Sequence, residues 1–378
     1  MSNKEVSLYV HIPYCRRKCR YCDFASFAGR GDTAQAYAKR VVDELLQYKD
    51  EGLTARTVFF GGGTPSEVDT DVIKTIVNGI KESFVWAPVE ATIECNPCSA
   101  TLQKLTAYRA MGFDRVSIGV QSFDEAVLKT IGRVHDSRAA MDCIKNARLA
   151  GFKNVSIDLM FSIPGQTTEM LTESAELAAE LGVDHVSVYS LILEEGTPLT
   201  EAVDRGELEA VGEDEDRLMY GSVCQLLAKK GYKRYEVSNF AKDGFESKHN
   251  MAYWQRLDYI GVGSAAHSCY MEERYSNPVT IEGYISSYKV GRHAEDRVSL
   301  TDTDILEETV MLGLRTAAGV NVKRLTEKLS DKGQARLTDV INKLVNECLL
   351  SCDGDVIRAT DKGLDVLNRV ILEIVSAF

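Results

Sequence analysis

Three cysteines, Cys15, Cys19 and Cys22, stand in the segment SLYVHIPYCRRKCRYCDF (residues 7–24), directly after an alternating apolar run. Arg16, Arg17, Lys18 and Arg20 are interleaved with them, leaving the loop no obvious apolar face to pack. Nearby cations lower the pKa of a thiol, and the thiolate is the form that ligates metal. At a Cys-x₃-Cys-x₂-Cys spacing in a loop, three thiolates can hold three irons of a cubane cluster. The fourth iron then has no protein ligand and is free to take a small molecule. Zinc competes for such thiols, but a structural zinc site needs four closed ligands. Cys95 and Cys98, in ATIECNPCS, could complete one or hold an auxiliary cluster, although Pro97 and a strand-end position account for that segment otherwise. The chain has ten cysteines. In a reducing compartment they are not expected to form disulfides. Cys143, Cys224 and Cys348 lie in helix-like contexts and are expected to be small core residues.

Other residues with chemical potential fall at regular places. FFGGGTPS (residues 59–66) holds Gly61, Gly62 and Gly63, where a backbone can approach a ligand closely. Glu94, Gln121, Arg133 and Asp158 follow at or near the ends of later apolar runs. An arginine can grip a carboxylate bidentately, and Gln and Asp suit sugar hydroxyls. Each has a plainer role: Glu94 solvated, Arg133 capping a helix, Asp158 orienting a loop. In KHNMAYW, His249, Asn250, Tyr253 and Trp254 cluster, a pattern that is commonly core packing with a satisfied hydrogen bond.

The elements that must carry these residues are legible as six β-rich runs: VSLYVHI, RTVFFGG, ATIEC, RVSIGVQS, NVSIDLMF and HVSVYSL. Segments with helical apolar spacing, such as AYAKRVVDELLQY, lie between them. Strands alternating with helices imply parallel pairing through right-handed crossovers. Polar or glycine residues at the C-terminal strand ends favour an open, partial (β/α)6 barrel, whose chemistry sits at that end. The fold class is therefore α/β, with the barrel expected over residues 1–200. A mixed, aromatic-rich linker region with the HNxxYW motif is expected over 201–299, and a small helical, winged-helix-like domain over 300–378. Winged helices often bind DNA, but this one has no dense basic recognition helix. The net charge of −12 likewise argues against nucleic acid or an anionic membrane as partner. No apolar run approaches the roughly 20 residues of a membrane span. The N-terminus MSNKEVSLYV lacks a basic-then-apolar leader, so a cytoplasmic location is expected.

The cysteine loop resembles that of the radical S-adenosylmethionine (SAM) superfamily. LYVHIPYCRRKCRYCDF is similar to the oxygen-independent coproporphyrinogen III oxidase family, and within it to the haem-chaperone (HemW-type) branch. The resemblance runs from Ser7 into the terminal domain. It implies a 4Fe–4S cluster on Cys15, Cys19 and Cys22 that chelates SAM. It also implies SAM contacts at Tyr9, Gly62, Gly63, Thr64, Glu94, Gln121, Arg133 and Asp158. HNMAYW matches the HNxxYW signature of the chaperone branch and implies haem contact at His249, with His267 and Cys269 as nearby iron-ligand candidates. The oxidases resemble CxxxCxxCxC, with a further cysteine where this chain has Phe24, and carry a longer N-terminal extension. Both departures match the chaperone branch. The expected function is binding of haem, cluster and SAM and delivery of haem to acceptor haemoproteins, respiratory ones included, with a transient membrane-protein partner conceivable. The alternative is oxidation of coproporphyrinogen III to protoporphyrinogen IX by radical SAM chemistry, and SAM cleavage is left open.

Overall fold

In the computed structural model, which describes residues 4–378, the six apolar runs form six strands. They are β1 (Glu5–Ile12), β2 (Thr54–Gly62), β3 (Val85–Cys95), β4 (Arg115–Gln121), β5 (Asn154–Phe161) and β6 (His185–Ser190). Each pairs in parallel with the next, in chain order. Helices α1 (Ala34–Leu45), α2 (Thr70–Ser83), α3 (Leu102–Met111), α4 (Ser137–Leu149) and α5 (Thr168–Glu180) fill the crossovers. The chain thus builds the expected partial barrel.

Successive strand residues point to opposite faces, so each strand carries two different lists of side chains. In β1, Leu8, Val10 and Ile12 join an apolar core with Tyr37, Val41 and Leu45 of α1. Tyr9 and His11, between them, line a cavity on the other side. In β4, Val116, Ile118 and Val120 are core residues, whereas Ser117, Gly119 and Gln121 line a second cavity. α3, α4 and α5 start where a side chain satisfies a free N–H group: Thr101 accepts from Lys104 N, Asp136 from Ala139 N and Thr167 from Met170 N.

A seventh parallel strand, β7 (Tyr259–Val262), pairs with the free edge of β1 and was not anticipated. From it, β8 (His267–Tyr270) and β9 (Glu273–Ser276) continue antiparallel. At the far end Asn239–Ala241 pairs antiparallel with β6. One core accordingly runs from Val6 to Ala294, and a second, Leu306 to Ala377, serves the C-terminal part. That part contains helices Asp302–Gly313, Asp331–Asn346 and Leu367–Val375, and a three-stranded wing from Val320–Asn321, Leu350–Asp353 and Val356–Ala359. It is joined to the barrel by Glu308, which meets both Arg256 and Arg274 at 2.9 Å.

Cys143 is buried and Cys224 half-buried, but Cys348 is exposed, contrary to expectation. The helix ends at Asn346, and Cys348 takes the left-handed turn position after it (φ 59°), donating its N–H to the Val345 carbonyl. Among the described residues no helix is long and apolar enough to cross a membrane.

Candidate functional site

The cysteine loop leaves the C-terminal end of β1 and is closed on itself. Tyr14 and Cys15 pair in parallel with Phe27 and Ala28, and Phe27 N donates to the Pro13 carbonyl at 2.7 Å. Two of its cations are bonded to backbone carbonyls. Arg17 donates to the Gly132 carbonyl (2.8 Å) and Arg20 to the Thr130 carbonyl (3.1 Å), tying the loop to the segment after β4. The loop also has an apolar anchor that its charge conceals, for Tyr21 packs beside Val127, Ile131, Met160 and Leu199.

Cys15, Cys19 and Cys22 all face one cavity of about 340 Å³, together with Gly62, Gly63, Thr64, Glu94, Gln121, Arg133 and Asp158. Thr64 Oγ1 lies 3.4 Å from Cys15 Sγ, and Arg133 donates to Cys19 Sγ at 3.4 Å. Burial pushes the Cys15 and Cys22 thiols up in the metal-free chain; a coordinated metal deprotonates a thiol outright. Among the described residues no three His, Cys, Asp or Glu side chains are gathered tightly enough for a single ion. Three thiols line one space beside the Arg133 guanidinium, and the chemistry of that donor set fits a cluster. Cys98 also opens into this cavity. Cys95, the last residue of β3, also borders it; burial, and then the neighbouring Cys143, push its thiol well up.

The glycines answer to the protein before any ligand. A Cβ on Gly62 (φ 104°) would sit 2.3 Å from the His11 ring, and one on Gly61 would sit 2.8 Å from Glu94 Oε2. Glu94 accepts from Gly62 N at 3.2 Å; burial, and then the Asp158 carboxylate, push it up to about 8. Burial raises Asp158 as well, against a 3.3 Å hydrogen bond from Ser117. Gln121 holds a left-handed φ of 70° and accepts from Tyr189 OH. Such backbone strain in a non-glycine residue concentrates at functional sites. Gly62, Gly63, Thr64, Glu94, Gln121, Arg133 and Asp158 thus share one cavity with the three cysteines, and Tyr9 does not line it.

Tyr9 lies in an adjoining cavity of about 460 Å³ lined by His11, Phe24, Phe59, His249, Tyr253, Tyr259 and His267. Phe24, Gly62 and Glu94 belong to both walls. Phe24 is 69% exposed at their common lip. The rings are ordered in a stack: Tyr9 lies on Phe59 (6.2 Å, 27°) and Phe59 on His249 (5.0 Å, 23°). His249 is 1% exposed. Its Nδ1 meets Thr57 Oγ1 at 2.8 Å and its Nε2 meets Tyr253 OH at 3.0 Å. Burial, and then the Arg115 charge, hold it neutral with a pKa lowered to about 3. Cys269 lines neither cavity.

Sequence reasoning passed over Glu90, whose buried carboxylate accepts from the backbone N–H groups of Lys248 (3.0 Å) and His249 (3.1 Å). It thereby seats the helix Lys248–Trp254 on the barrel. It also passed over His11, whose only signal was a polar residue inside the apolar run LYVHIP.

With this geometry in view, comparison with known proteins is informative. A family model described as the radical SAM superfamily matches residues 9–178, and one described as the HemN C-terminal domain matches residues 300–366. The chain is 36% identical to a protein of Lactococcus lactis named heme chaperone HemW, over 98% of this chain and 97% of that one. It is 33% identical to the heme chaperone HemW of Bacillus subtilis, over 96% and 97%. It is also 33% identical to the mitochondrial radical S-adenosyl methionine domain-containing protein 1 of Danio rerio, over 97% and 86%. Among solved structures the fold is like that of Escherichia coli coproporphyrinogen III oxidase (HemN), described as a radical SAM enzyme. The TM-score is 0.83 at 21% identity, covering 100% of this chain and 91% of that one.

Proposed function

This chain belongs to the radical SAM superfamily and, within it, to the family of the heme chaperone HemW, and on that premise we propose that it binds haem and delivers it to acceptor haemoproteins. The observation that carries the proposal is the pair of cavities with a common wall: one lined with thiols and strand-end polar groups, the other with stacked rings. A flat apolar macrocycle suits the second, because aromatic faces bury it without leaving polar groups unpaired.

In this reading Cys15, Cys19 and Cys22 hold a 4Fe–4S cluster, with Arg133 placing positive charge beside Cys19. The cluster and SAM, when bound, supply one-electron chemistry. Gly62, Gly63 and Thr64 offer a close backbone wall for the methionine moiety of SAM. Gln121, Asp158 and Glu94 present polar groups to its hydroxyls, and Tyr9 closes the wall from the aromatic side. His249 contacts the macrocycle as part of the ring stack. The acceptors include respiratory haemoproteins, met from the cytoplasm.

A second reading, oxidation of coproporphyrinogen III, draws support from the gathering of every SAM-side group except Tyr9 around the thiols. Phe24, where the oxidases resemble a further cysteine, favours the chaperone. One anaerobically reconstituted sample tests both. It should bind about one haem per chain on titration and leave coproporphyrinogen III unconverted. Robust SAM-dependent decarboxylation would replace the first reading with the second.

A further inference from the structure

Three histidines line the aromatic cavity, and they differ in what their ring nitrogens are doing. His11 Nε2 lies 2.9 Å from the Ala25 carbonyl, which can only accept, so Nε2 carries the proton. Its Nδ1 is then the acceptor for Tyr9 OH at 3.0 Å. Both nitrogens are committed. His249 is in the same condition, held by Thr57 on one side and Tyr253 on the other, with its face covered by Phe59. An imidazole binds a metal through an unprotonated nitrogen with a free lone pair. Neither ring has one to spare.

His267 is the exception. It stands exposed at the mouth of the cavity, and neither ring nitrogen has a hydrogen-bond partner among the described residues. Its position is set by the backbone, since β7 reserves the room beside it: a Cβ on Gly261 would lie 2.2 Å from the His267 carbonyl oxygen. Ala265, two residues earlier, holds a left-handed φ of 55° and also lines the cavity. Its cross-strand partner Ser276 gives both its N–H and its hydroxyl to Asp296, so the carboxylate on that side is taken up by Ser276 and does not hold the imidazole.

We infer that His267 supplies the axial ligand to the haem iron, while His249 serves as a packed wall of the same cavity. This rests on the haem-binding reading above and goes beyond it by assigning the metal contact. The test uses full-length, cluster-loaded protein titrated with ferric haem and followed by absorbance and electron paramagnetic resonance. Wild type should show histidine-ligated iron. His267→Ala should lose that spectrum and weaken haem about tenfold or more, with cluster iron and melting temperature unchanged. Added imidazole should restore the spectrum to His267→Gly. His249→Phe, which keeps the stack, should retain the histidine-ligated spectrum; if it does not fold, His249→Gln, which keeps polar atoms for Thr57 and Tyr253, takes its place with the same expectation. A spectrum that survives His267→Ala, or a wild type whose bound haem lacks a histidine ligand, overturns the assignment and leaves haem binding standing. A wild type that takes up no haem at all removes both.

Discussion

The two cavities solve opposite problems. The thiol cavity is assembled from strand ends and a loop that bring thiols, carboxyls and guanidinium groups to one space, among them Cys15, Cys19, Cys22, Glu94, Asp158 and Arg133. The aromatic cavity is walled, His267 apart, by rings such as His11, His249 and Tyr9 whose polar atoms are already spent. Residues that keep bonding capacity are poised to take a ligand's polar groups. Residues that have used theirs shape a surface. The difference teaches that proximity alone does not make a histidine a ligand.

The most drastic way to probe that contrast is Cys19→Ala. Losing one of three thiolates should bring cluster iron and sulfide to background in anaerobically reconstituted protein, while haem titration of the same sample still saturates. A parallel loss of haem binding would show that the cavities are one site.

Gly62→Ala attacks the wall they share. The new methyl enters the His11 ring, and φ 104° is a conformation only glycine takes freely. A loss of about 2–4 kcal/mol in denaturant unfolding is expected, with weakened binding of both SAM and haem. A variant weakened toward one ligand alone would place Gly62 in one cavity only.

The third probe reaches only the aromatic side. Glu44 of α1 is fully buried and accepts from Gly263 N, Asn277 Nδ2 and Tyr284 OH, which pins the segment around β7, β8 and β9. Burial pushes its carboxyl up to about 7. The folded chain therefore keeps a proton that the unfolded chain releases near pH 4.5, so this group's stabilisation is present below that pH. It is lost as pH rises to about 7, by about 3 kcal/mol at 1.36 kcal/mol per unit. Glu44→Gln should flatten that slope in pH-dependent melts; an unchanged slope would assign the dependence to other groups.

Much of the thiol cavity was readable in advance because its residues recur at strand ends and its cysteines are close in sequence. The barrel was readable because parallel strands covered on both sides leave dense apolar runs. The aromatic cavity was harder to read. β7 is four residues long and contains Gly261, and its partner β1 lies at the other end of the chain, so no local period announces it. HNMAYW was visible as a motif, but the commitment of His249 Nδ1 depends on Thr57, from a strand far upstream. Glu90 acts by capping a distant helix, a role that has no spacing to detect. Cys348 was misplaced because the apolar pattern continues past the point where the helix has ended.

The small ladder between Tyr14–Cys15 and Phe27–Ala28 has one more consequence. It cinches the cysteine loop like a drawstring, and Arg17, Arg20 and Leu199 fasten the purse from outside. These fastenings run through backbone carbonyls and N–H groups and use none of the three thiols. Replacing a single thiol should therefore empty the purse without untying it.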